Sequence, residues 1–166
     1  MSATSVWQGI ASEHPPCLRL DYPELLEMAE ALVESRRKRF PDLVRRHELS
    51  APEAARQLAL FEEIAADWRW ICTGEGEPAA YATIEARREA LDESLRTVAG
   101  IARGQGGFDA KLEHQAHCLI ALRWHLEPER MTHALARLTH QCRAAAPDRV
   151  APKARPEPVE GETVDA

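Results

Sequence analysis

The chain has 166 residues, 45% of them hydrophobic and 29% charged, with a formal net charge of −6 and a pI near 5.7. That length supports one sizeable core with little material for a second, and the acidic balance argues against a globally basic nucleic-acid binder. Leu, Ala, Glu and Arg dominate, β-branched residues are sparse and aromatics make up 5%, so the prediction is all-α: a single irregular bundle of four to five helices with disordered termini. Cys17, Cys72, Cys118 and Cys142 are far apart and form no CxxC pair, which fits a cytoplasmic protein with reduced thiols. The first residues lack the basic and apolar runs of a signal peptide, and no window approaches the length of a membrane span, so no membrane partner is expected.

Residues 1–20 read as a flexible lead with an extended segment at Pro15 and Pro16, in which Trp7 and Ile10 are the candidates for local packing. The helical domain is predicted over residues 21–146. Its first helix starts near Tyr22, with Asp21 as cap, Pro23 in the first turn, and Leu25, Ala29, Leu32 and Val33 as the buried stripe. Pro41 disfavours helical geometry at Phe40, which predicts a break there and a short helix through about His47.

The clearest helix lies between Ser50 and Gly74. Ser50 and Glu53 form a capping box, Pro52 sits in the first turn, and Gly74 supplies the left-handed stop. Leu58, Phe61, Ile64, Ala65, Trp68, Ile71 and Cys72 make its apolar face. The run LVRRHELSAPEAAR at 43–56 resembles the small helical hairpins of bacterial and phage proteins that read xLVxxGxLTxxEAxR, with His47 where that pattern carries glycine. The resemblance covers about thirty residues and implies a packing unit without naming an activity.

Pro78 is the expected start of the next helix, which reaches about Arg103 with a stripe of Tyr81, Ile84, Leu91, Leu95, Val98 and Ala102. Asp109 caps a helix carrying Leu112, Ala116, Leu119, Ile120 and Trp124; Pro128 then either kinks it near Trp124 or opens a new helix. Met131, Leu135, Leu138 and Cys142 form the last apolar stripe, ending near Ala146. Residues 147–166 have four prolines, alternating charge and almost no large apolar side chain, the composition of a disordered tail.

Four constellations bear on function. Arg36, Arg37, Lys38, Arg39, Arg45 and Arg46 set six cations against Asp42 alone, directly after an acidic segment, and are the candidates for contact with phosphate, nucleic acid or another anion; the competing reading is a solvated helix end paired with nearby acids. His114, His117 and Cys118 share one face of a helix and are the metal candidates, but no fourth ligand stands beside them and the spacing is not that of a zinc finger, so no metal or other cofactor is expected. No GxSxG, catalytic cysteine context or phosphate-binding loop is present, which argues against an enzyme. Trp68 and Trp70 point about 200° apart on one helix, so Trp70 cannot join the Trp68 face; it is the candidate partner contact, unless another helix covers it.

The function expected from these features is that of a small non-catalytic helical protein working through protein–protein contact, in a regulatory or accessory role and of a kind encoded on phages or mobile elements. A second copy of the chain is one admissible partner. A nucleic-acid-associated accessory protein using residues 36–46 is the alternative, and a metal-dependent enzyme using the histidine-rich C-terminal helices is the second.

Overall fold

The computed structural model describes residues 3–146. Five helices form an irregular bundle: α1 (Tyr22–Arg45), α2 (Ala51–Thr73), α3 (Ile84–Gly104), α4 (Ala110–Trp124) and α5 (Thr132–Ala145), preceded by a two-stranded antiparallel sheet of β1 (Ala3–Trp7) and β2 (Ile10–His14). The all-α expectation holds, with the small hairpin as its one addition. The predicted tail at 147–166 lies outside the described residues.

At the start of α2 half of the predicted capping box forms: the Glu53 carboxylate accepts from Arg56 and Gln57 instead of from the Ser50 N–H. Ser50 Oγ accepts the Glu53 N–H, and at the other end Gly74 adopts φ +77 while its N–H donates to the Trp70 carbonyl at 2.8 Å. A side chain at Gly74 would be strained by that φ and would also press on the His140 ring, whose Nδ1 lies 3.2 Å from the site of a Cβ.

α1 and α2 make the largest interface of the bundle. They run antiparallel, because Arg37 pairs with Glu62, Glu30 with Arg69, and the Tyr22 carbonyl meets the Cys72 thiol. Leu25, Ala29, Leu32 and Val33 from α1 meet Phe61, Ile64, Trp68 and Ile71 from α2, all buried. α3 and α4 form a second hairpin, contributing Leu91, Leu95, Val98, Ala116, Leu119 and Leu122 to the same core.

Five local expectations are corrected. Pro41 does not break α1, which continues to Arg45. A proline removes one helical hydrogen bond and crowds the preceding turn, and buried Phe40 beside it holds the helix on the core. Pro78 does not begin α3: residues 74–83 form a loop, Thr83 caps the helix through the Ala86 N–H, and Tyr81 is 97% exposed. Pro128 opens no helix either, since α4 ends at Trp124 and α5 begins at Thr132.

The fourth correction concerns residues 3–14, which form a hairpin with Trp7 opposite Ile10. Gln8 and Gly9 both have positive φ, +50 and +85, the geometry of a two-residue turn that matches strand twist. Ile10 and Ser12 point inward and Ala11 and Glu13 outward, with β2 resting on α4.

The fifth is α5. Its stripe of Met131, Leu135, Leu138 and Cys142 is exposed, and the helix instead turns His133, Ala136 and His140 toward α2 and Thr132 toward His125 at the end of α4. Trp70 is thereby covered. It is 8% exposed, stacked on His133 at 6.1 Å with 16° between the rings, and met edge-on by His140 at 5.2 Å. An exposed anchor is therefore not what α2 presents: helices lie on both of its sides. Trp70→Ala is accordingly expected to destabilise the protein about as much as Trp68→Ala, on the order of 3 to 5 kcal/mol each, in urea melts; a Trp70→Ala loss below about 1 kcal/mol would show that α5 does not cover it.

Candidate functional site

Two acids one turn apart on α2, Glu63 and Asp67, organise the polar interior. Asp67 is 2% exposed, and its carboxylate accepts from the Ala79 N–H at 2.8 Å and lies 2.9 Å from His133 Nε2 on both oxygens; Arg87, 6% exposed, approaches at 3.4 Å. Glu63 accepts from the N–H groups of Ala80, Tyr81 and Ala82 at 3.0, 2.6 and 2.9 Å. One helix face thus ties down the 74–83 loop, α3 and α5 together. With its oxygens engaged on all sides and no opening to solvent, Asp67 acts as a structural tie. Asp67→Ala would leave Arg87 buried without a counter-charge, and a loss of about 3 to 5 kcal/mol is expected in urea melts. Adding Arg87→Met should recover part of it; strictly additive losses would show that the two groups are not coupled.

His125 is a second buried polar group, 5% exposed at the end of α4. Its Nε2–H donates to the Arg19 carbonyl at 2.7 Å, which leaves Nδ1 to accept from the Thr132 hydroxyl at 2.6 Å. Tyr22, Trp68 and Trp124 meet its ring edge-on. Burial, opposed in part by the Arg19 carbonyl, holds its pKa below the usual 6.5. The folded state therefore takes up the proton less readily than the unfolded one, so stability is full above about pH 6.5 and falls as the pH drops below it. The loss of melting temperature from pH 7 to about 5 should be shallower in His125→Gln. An unchanged slope would place the titration elsewhere.

The basic segment is largely neutralised by its neighbours. Arg37 pairs with Glu62 at 2.9 Å, Lys38 with Glu34 at 3.5 Å, Arg45 with Asp42, and Arg46 with Glu48 at 3.5 Å. Arg36 folds inward over the Phe61 ring, 3.4 Å from its centroid, and donates to the Leu32 carbonyl and to Ser94 Oγ; burial and the adjacent Arg39 lower its pKa to about 10. Arg39, like Arg36, has no acidic partner among the described residues. It lines a groove of about 510 Å³ between α1, α3 and α4, together with Arg36 and Lys111.

The metal candidates are rearranged. His117 turns toward Glu113 at 3.7 Å, away from the other two, and its place is taken by Glu24 of α1. His114 Nε2 lies 3.2 Å from Glu24 Oε2 and 3.5 Å from Cys118 Sγ. Burial, then the nearby charges of Glu24 and Asp21, push the Cys118 thiol up to about 11. The sequence placed His114 and Cys118 on one face through their i, i+4 spacing, but the contribution of Glu24 depends on how α1 crosses α4.

The outward face of α5 is the one extended apolar feature of the surface among the described residues. Met131, Leu135 and Leu138 are 62%, 54% and 57% exposed and succeed one another at helical spacing, with Cys142 a turn further on. The charged residues of the helix are Arg137, whose guanidinium lies over the Trp70 ring at 5.9 Å, and Arg143, which lines the groove beside Ile71 and Cys72; α5 carries no acid.

Comparison with protein-family models, curated proteins and solved structures finds no match to the chain.

Proposed function

We propose that the protein is a non-catalytic helical interaction protein whose contact surface is the outward face of α5, and that its partner is an amphipathic helix of another protein with acidic residues flanking its apolar stripe. The observation that carries this is the row Met131, Leu135 and Leu138, each more than half exposed on a helix whose inner face is already satisfied by α2. Large apolar side chains clustered this way leave water when a complementary helix packs on them, at roughly 25 cal/mol per Å² of apolar surface covered. Charge selects the partner. The two charges of α5, Arg137 and Arg143, are both cations, so a second copy docked helix to helix would bring like charges together, whereas an acidic-flanked helix brings opposite ones.

The nucleic-acid reading has weaker support, because four of the six basic residues are paired with acids and Arg36 is folded inward. Contact with phosphate depends on cations free to displace counterions.

A designed helical peptide with leucines at the matching spacing and glutamates on its flanks should bind the full chain in fluorescence anisotropy, more weakly as salt rises, and better than the same peptide with lysine flanks. Leu135→Glu with Leu138→Glu should abolish binding while leaving the melting temperature nearly unchanged, since both side chains are exposed. Equal binding of the two peptides, binding that survives the double substitution, or a stable dimer in sedimentation that the double substitution dissolves would contradict the proposal.

A further inference from the structure

Glu24, His114 and Cys118 bring one oxygen, one nitrogen and one sulfur to a single point where α1 crosses α4, all within 4.8 Å of one another. A hydrogen-bonded account of this cluster is incomplete. His114 Nε2 stands 3.2 Å from a carboxylate oxygen and 3.5 Å from a thiol sulfur. If Nε2 carries the ring proton, it donates to Glu24 and gives the thiol hydrogen no acceptor there. If it is bare, it accepts from the thiol and turns its lone pair toward the carboxylate. One nitrogen cannot serve both neighbours well, whereas a cation placed among the three takes an electron pair from each.

The two separations from His114 fit such a cation. Around a tetrahedral zinc ion, the usual metal–ligand lengths put sulfur and nitrogen about 3.6 Å apart and nitrogen and oxygen about 3.4 Å apart. The corresponding separations here are 3.5 and 3.2 Å. The mixed donor set selects against the hard cations: magnesium and calcium take oxygen ligands, while thiolate with imidazole and carboxylate suits zinc. The charges also balance, since a thiolate and a carboxylate neutralise a divalent ion, the thiol proton passing to solvent on binding. Access is open, because the side chains of His114 and Glu24 are 50% and 42% exposed although Cys118 is buried.

We propose that Glu24, His114 and Cys118 form a zinc site that clamps α1 to α4, with three protein ligands and one position left to solvent. The site is separate from the α5 face and goes beyond the interaction function.

The test is titration of the full chain, freed of metal with a chelator, with zinc chloride in competition with a chromophoric zinc indicator. One equivalent should bind, and it should raise the melting temperature. Cobalt(II) in place of zinc should give a thiolate-to-cobalt charge-transfer absorption, which reports sulfur ligation directly. Glu24→Gln and His114→Ala, both at exposed side chains, should each weaken zinc binding at least about ten-fold, and Cys118→Ala should remove the charge-transfer band. His117→Ala should change nothing, and magnesium should not compete. Because Cys118 is buried, its substitution is read beside circular dichroism; the two exposed variants test the site even where Cys118→Ala unfolds. The proposal is overturned if zinc fails to bind stoichiometrically, if His114→Ala binds as well as the unsubstituted chain, or if His117→Ala weakens binding as much as His114→Ala.

Discussion

A carboxylate buried in the middle of α2 obliges three other segments to come to it. Asp67 is 2% exposed, where an unpaired charge would be expensive, and it is stabilised by donors from the 74–83 loop, from α3 and from α5. None of these is near it in the chain. The loop N–H groups that Asp67 leaves go to Glu63, one turn earlier, so the long connection between α2 and α3 is fixed by side chains instead of by secondary structure of its own. The apolar core supplies the bulk of the driving force, and these two acids decide where the pieces settle.

The orientation of α5 follows from the same constraint. Hydrophobicity alone would turn Met131, Leu135 and Leu138 inward. The surface that α2 offers, however, is a tryptophan ring, a carboxylate and the Trp70 carbonyl, and histidines satisfy all three by stacking on the ring and donating to the oxygens. His133 and His140, one helical face apart from the leucines, take the inner side, and the leucines are left in water. The exposed apolar face of α5 is thus the other half of a packing arrangement that histidines, and not leucines, complete.

Much of the fold was legible in the residues. Helical periodicity located the buried faces of α1 and α2 and most of α3, and the Ser50 cap, Gly74 and Asp109 marked ends that the structure keeps. Misread were positions where a polar partner distant in sequence overrides a local preference. Pro78 looked like a helix start, but Glu63 and Asp67 claim the N–H groups just beyond it. Trp70 stayed open between a partner contact and cover by another helix, because the helix that covers it approaches with histidines, which carry no apolar signal. The hairpin at residues 3–14 was signalled only by Gln8–Gly9 at the spacing of a two-residue turn, too weak against a helical background. In the metal-type cluster, the pair His114 and Cys118 was visible and Glu24 was not, since helix periodicity relates residues on one helix and says nothing of how two helices cross.

The central claim, that α5 docks with its histidine face inward and its leucine face outward, is tested most directly by thiol labelling. In a chain carrying Cys17→Ser and Cys142→Ser, which removes the two exposed native thiols, a single cysteine is placed either at Leu138 or at Ala136, and its rate of reaction with a small disulfide reagent is measured under native conditions. Leu138 is 57% exposed and Ala136 7%, so Leu138→Cys should react at close to the rate of the unfolded chain and Ala136→Cys far more slowly. A protected Leu138→Cys beside a reactive Ala136→Cys would mean that the leucines face the core after all, and that the tie from Asp67 to His133 does not set the helix.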